Sequence, residues 1–96
     1  MGTEELLRSK RDEILRLAHR HGAGNVRVFG STVRGEAGPQ SDVDLLVTME
    51  KGRGYLDLVG LWQDLEELLG RKVDLLSDGG VSPHLQSRIY AEARAL

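Results

Sequence analysis

The sequence predicts an α/β domain: a small mixed β-sheet of about three strands with helices packed on it. Three observations carry that prediction. Apolar residues recur at helical spacing over 4–21, over 55–69 and from 82 onward. Short alternating runs lie between them at 26–29, 42–48 and 72–76. Twelve glycines punctuate the joins. Ninety-six residues suit one domain, 1–96, and leave no room for two.

The first helix should be capped by Thr3, with Glu4 and Glu5 where the helix dipole favours negative charge. Leu7, Ile14, Leu17, Ala18 and His21 form its stripe, and Gly22 stops it. Residues 22–25 read as a loop, and Val26 to Phe29 as a strand ending at Gly30-Ser31. The stretch 32–40 contains Gly35, Gly38 and Pro39, so it holds at most one helical turn. In the next strand Asp42, Asp44 and Leu46 face one way; Val43, Leu45 and Val47 face the other. After a turn-rich connector at 50–54 comes a helix with Leu58, Leu61, Trp62, Leu65, Leu68 and Leu69 on one apolar stripe, stopped by Gly70. The third strand sets Val73 and Leu75 against Asp74 and Leu76. Ser82-Pro83 then opens a helix expected to continue through Leu85, Ile89 and Ala93 to the last residue.

Composition narrows the function. Thirteen Lys and Arg against 15 Asp and Glu give a net charge of −2, so direct nucleic-acid binding is not expected. The lack of cysteine removes disulfides, zinc–thiolate sites, iron–sulfur clusters and cysteine nucleophiles together. No apolar run reaches the roughly 18 residues of a membrane span. The acidic N-terminus has no secretory signal pattern, and Met1-Gly2 with Leu6 is not a myristoylation signal. A cytoplasmic protein with no membrane association is the expectation. With aromatics at 4%, the core must be Leu, Val, Ile and Ala, and a partner or a second copy of the chain would help stabilise it.

The chemistry lies in three acids and one turn. Aspartates at i and i+2 of a strand, Asp42 and Asp44, present both carboxylates on one face about 6.5–7 Å apart at Cα. A third strand placed beside them would bring Asp74 onto that face. Carboxylates gathered this way repel unless a divalent cation sits among them, and magnesium fits such hard oxygen donors while leaving room for phosphate oxygens. Gly30 allows close backbone approach, the following turn can receive a phosphate, and Ser31 adds a hydroxyl. The combination suits phosphoryl or nucleotidyl transfer from a nucleoside triphosphate. Arg34 is close enough in sequence to reach a phosphate, and equally placed to stabilise its loop.

Gly30-Ser31, Arg34-Gly35 and Ser41-Asp42-Val43-Asp44-Leu45-Leu46-Val47 together resemble the signature of the minimal nucleotidyltransferases, the smallest members of the polymerase-beta-like nucleotidyltransferase superfamily. The likeness spans nearly the whole chain, including Val73-Asp74-Leu75-Leu76 and the tail from Ser82-Pro83-His84-Leu85 through Arg88-Ile89 and Ala93. It implies a nucleotidyltransferase-like fold with the first two strands antiparallel and helices on one side of the sheet. It implies that Asp42 and Asp44 bind catalytic magnesium, two ions in all, and that Asp74 is the third carboxylate, ligating the metal at the nucleophile or taking its proton. Gly30 and Ser31 would hold the β- and γ-phosphates of ATP. The resemblance further implies transfer of AMP to a hydroxyl, a tyrosine of a small helical HEPN-type toxin, with this chain as antitoxin. A nucleotide-sensing antitoxin without catalysis, and transfer to a small molecule, are the other readings; the latter normally needs an additional substrate-binding domain.

Other features carry plainer readings. Arg53 reads as a solvated loop residue, and His19 and His21, at i and i+2, do not share a helical face for a metal. Gly22-Ala-Gly24 has no preceding strand and no third glycine, so it is not a dinucleotide loop; a P-loop is absent as well.

Overall fold

The computed structural model describes residues 2–38 and 41–96. Met1, Pro39 and Gln40, which entered the terminal-signal and loop readings above, lie outside them. Along the chain come α1 (Thr3–Arg20), β1 (Ala23–Phe29), a 3-10 turn (Gly30–Thr32), β2 (Val43–Met49), α2 (Tyr55–Leu69), β3 (Val73–Ser77), a second 3-10 turn (Asp78–Gly80), α3 (Pro83–Glu92) and β4 (Arg94–Ala95). The sheet order is β3-β2-β1-β4. β1 runs antiparallel to both β2 and β4, whereas β3 runs parallel to β2, the connection being α2. The sheet is mixed, as expected, and among the described residues it has four strands where about three were expected.

Alternation sorts the side chains to two faces. Val43, Leu45 and Val47 of β2 join Val26, Val28, Val73 and Leu75 under the stripes of α1 (Leu7, Ile14, Ala18) and α2 (Leu61, Leu65, Leu69). This is the main core. On the other face Phe29 and Leu46 pack with Val81 and Ile89, flanked by Leu76 and Ala93. The helices therefore do not share one side: α1 and α2 cover one face, and α3 covers part of the face that carries the aspartates. Ile89 is the apolar reason: it packs against Phe29, Leu46 and Val81 on that face.

Helix ends follow local chemistry with two corrections. The cap of α1 is Gly2, not Thr3. Thr3 is buried inside the first turn, where its hydroxyl donates to Gly38 O at 3.0 Å and accepts from Arg71. α2 closes as predicted on Gly70, whose left-handed φ of 64° only glycine adopts cheaply. At its start the Asp57 carboxylate accepts the Gly54 N–H at 2.9 Å. α3 starts at Pro83 behind Ser82 but stops at Glu92. Ala93 turns extended, and Arg94 and Ala95 pair with Val28 and Arg27.

The predicted loop at 22–25 is partly strand. β1 begins at Ala23 and absorbs a register shift between Gly24 and Arg27, where Asn25 takes a φ of 47°. Asn tolerates that left-handed conformation better than most residues, so a bulge lets the strand start early. His21 then locks α1 to α2: its Nε2 lies 2.7 Å from Asp64 Oδ2, and its ring packs on Gly60, where a Cβ would meet Cε1 at 3.0 Å. His21 thus has a structural role, tying the end of α1 to α2.

The fold hangs on the central strand. Leu45, fully buried in β2 between the helical layer and its strand neighbours, should lose about 2–5 kcal/mol on Leu45→Ala, read as a lower midpoint in urea unfolding.

Candidate active site

The three aspartates come together at one end of the sheet. In the parallel β2–β3 pair, Asp44 is the register partner of Asp74. In the antiparallel β1–β2 pair, Asp44 is the register partner of Phe29, the residue just before the Gly30–Thr32 turn. Residues directly across a sheet share a face, so Asp44 and Asp74 stand side by side, with the turn on the other flank. Asp42 precedes β2 by one residue and keeps the two-residue spacing to Asp44. Asp42 and Asp74 are exposed and Asp44 is half-buried. The site is open to solvent at Asp42 and Asp74. A hollow of about 420 Å³ lies elsewhere, lined by Leu7, Arg8, Arg11, Val28, Thr32 and Arg94 among others, and includes none of the aspartates.

Gly30 is needed for space and for conformation. Its φ is +76°, and a Cβ built there would stand 2.1 Å from Asp44 Oδ2. The carboxylate of Asp44 occupies the volume that any other residue's side chain would claim. The turn is closed by backbone bonds from Arg34 N–H to Gly30 O (3.2 Å) and from Glu36 N–H to Ser31 O (2.8 Å). Ser41 ties the approach to β2, accepting Gly38 N–H on its Oγ at 2.8 Å.

The electrostatics record the crowding. Burial pushes the Asp44 carboxyl up from 3.8 to about 6, helped by the charges of Asp74 and Asp42 and opposed by Arg34. Among the described residues no group of three or more His, Asp or Glu is arranged to close on one ion as the side chains stand. The donor chemistry nevertheless fits a hard divalent cation: oxygen-only ligands, on one face, whose mutual repulsion a cation would relieve.

Arg34 proves to be held rather than loose. Its Nε donates to Glu36 Oε2 at 3.2 Å and its Nη1 donates to Glu92 Oε1. The hydrogen bond to Glu92, then that to Glu36, keeps the guanidinium above its already high ordinary value, so it stays charged. Sequence reasoning missed Glu92. The one signal was an acid in the last turn of a helix, where the dipole disfavours it and a specific cation must compensate.

Further along the same face, Asp78 accepts hydrogen bonds from Arg27 (2.8 Å), Thr48 and Tyr90 (3.2 Å). Burial alone would raise its carboxyl, but those donors pull it below the usual carboxylate range. The cluster pins α3 through Tyr90, over which Arg27 lies 6.0 Å from the ring centroid.

Comparison with known proteins gives the family. The nucleotidyltransferase domain model matches residues 10–96, and the chain belongs to that family; it is an enzyme of the nucleotidyltransferase class, as the resemblance implied. A candidate protein adenylyltransferase of Methanocaldococcus jannaschii is 41% identical over 81 residues, covering 84% of this chain and 87% of that protein. A solved structure of a candidate minimal nucleotidyltransferase superposes with a TM-score of 0.84 at 50% identity, covering 96% of this chain and 94% of that one. The same fold is found in a Shewanella oneidensis complex of a tri-AMPylated HEPN toxin with its minimal nucleotidyltransferase antitoxin, with a TM-score of 0.69, 19% identity and coverage of 92% and 69%. Among the described residues no helix is long and apolar enough to cross a membrane.

Two outcomes follow from the geometry. Gly30→Ala must give up the left-handed φ, worth about 1–2 kcal/mol, and also displace Asp44; a thermal midpoint lower by roughly 4–8 °C per kcal/mol is expected. Asp44→Asn should do the opposite. The folded carboxyl keeps its proton up to about pH 6 whereas the unfolded one releases it near 3.8, so ionised Asp44 destabilises the fold as pH rises through that window. With solvent screening the cost is about 1 kcal/mol, so Asp44→Asn should raise the melting temperature at pH 7 and lose that advantage as pH falls towards 4.

Proposed function

We propose that this chain transfers AMP from ATP to a hydroxyl of a partner protein, a tyrosine of a small helical HEPN-type toxin, and so acts as its antitoxin. The observation that carries the reading is the Asp44–Asp74 register beside Gly30: two carboxylates and a turn opened by a glycine on one edge. The candidate adenylyltransferase at 41% identity supports ATP as donor. The AMPylated HEPN toxin held by an antitoxin of this fold supports the acceptor.

In this reading Asp42, Asp44 and Asp74 hold magnesium, two ions by family likeness. Bound there, the metal supplies charge neutralisation for the triphosphate and lowers the pKa of the attacking hydroxyl. The chain's own groups do the rest. Gly30 lets the β- and γ-phosphates approach the backbone, Ser31 Oγ donates to them, and Arg34 offsets their charge. The acceptor oxygen forms its bond to the α-phosphorus as the bond from that phosphorus to the bridging oxygen breaks, and pyrophosphate leaves. The hydroxyl proton passes to the Asp74 carboxylate, exposed on the same edge.

The test is transfer from ATP labelled at the α-phosphate. Incubated with magnesium and a co-expressed helical partner, the wild-type chain should label a partner tyrosine, and Asp44→Asn should lower the rate by at least about 100-fold. Equal labelling by wild type and Asp44→Asn would remove the assignment. Nucleotide binding with no label on any partner would instead mark a sensing module, and label recovered only in a small molecule would mark a different acceptor class.

A further inference from the structure

We infer that Glu92, in the last turn of α3, is a positioning residue for the triphosphate site: it fixes the guanidinium of Arg34 so that the arginine's remaining donors face the incoming phosphates. The inference rests on the site reading proposed above, in which Arg34 meets the triphosphate.

An arginine on a loop has several rotatable bonds and gives up substantial rotamer freedom when it binds. Arg34 has already lost it. Nε is taken by Glu36 and Nη1 by Glu92, while Nη2 has no hydrogen-bond partner among the described residues. The two carboxylates are not equivalent. The Glu36 side chain is 63% exposed and the Glu92 side chain 15% exposed, so Glu92 is the fixed end of the clamp.

Glu92 is itself held from both directions. Three residues earlier Ile89 is buried in the second apolar cluster, and Tyr90 bonds to Asp78. One residue later the chain turns extended and pairs with β1 through Arg94 and Ala95. An acid at the C-terminal end of a helix opposes the dipole, so its place there needs Arg34 as compensation. Exposed ion pairs contribute little to stability, yet this one sits on the site's doorstep: the charges of both Arg34 and Glu92 act on Asp44. Two acids on one arginine add no attraction for a triphosphate. What the pairing supplies is geometry.

The readouts are Kd for a magnesium-loaded, non-hydrolysable ATP analogue by calorimetry, and KM and kcat for AMP transfer. Glu92→Gln should raise Kd and KM about tenfold while kcat stays within about twofold, the signature of lost uniform binding. Glu36→Gln should move both by less than about threefold. In an Arg34→Ala background, adding Glu92→Gln should change nothing further, because the residue acts through the arginine. If Glu92→Gln does not fold, Glu92→Asp, which keeps the charge and shortens its reach, should still raise KM severalfold. Unchanged or tighter nucleotide binding by the Glu92 variants overturns the inference, and so does a Glu92→Gln effect that persists without Arg34. A wild-type chain that takes up no nucleotide overturns the site reading as well, which separates the two failures.

Discussion

A carboxylate and an absent side chain share one volume at the end of this sheet. Asp44 Oδ2 sits where a Cβ on residue 30 would lie, 2.1 Å away, and the turn leading out of β1 can come alongside β2 only because residue 30 is glycine. Everything catalytic in the proposal is arranged around that contact. It brings the turn within reach of the acids, and it places Asp44 in partial burial, next to Asp74 across the parallel register. The same contact adds to the burial that pushes the Asp44 carboxyl up to about 6, with its acidic neighbours as the second cause. The chain tolerates a locally unfavourable carboxylate, a common mark of a site built for a ligand rather than for stability.

The second constraint is the way α3 is fastened. Its single buried anchor is Ile89, so the helix would sit loosely on the aspartate face were it not gripped beside that anchor. Tyr90 reaches Asp78 on one flank and Glu92 reaches Arg34 on the other. The two attachments belong to opposite ends of the site's neighbourhood: one to the network of Arg27, Thr48 and Asp78, the other to the segment that follows the Gly30 turn. A helix that closes a face and a residue that orients an arginine are therefore consequences of one docking event.

Most of the architecture was legible because periodicity reports burial. The stripe of α2, the alternation of β2 and β3, and Gly70 as a stop each follow from a single dominant environment per residue. The three aspartates were legible for the reverse reason: acids inside apolar alternating runs have no structural excuse. What escaped was decided by contacts distant in sequence. Thr3 looked like a cap and is instead used by Gly38 and Arg71. Residues 23–25 looked like loop because no local rule announces a bulge, although Asn25 is a residue that permits one. The end of α3 and the strand β4 depend on pairing with β1, which no local pattern in 93–96 encodes. Glu92 was invisible for the same reason, since its partner lies 58 residues away.

Small size shapes how such a site must work. The sheet has only two faces; one is given to the main core, and α3 takes part of the other for the second apolar cluster. The remaining surface is the edge where Asp42, Asp44 and Asp74 stand, with Asp42 and Asp74 open to solvent. Among the described residues, two paired acids, a glycine turn and a held arginine meet at this edge. Water is excluded from a reacting centre only by something that covers it. In the proposed transfer, that cover would come from the protein surface that carries the acceptor hydroxyl, seated against the exposed Asp42 and Asp74.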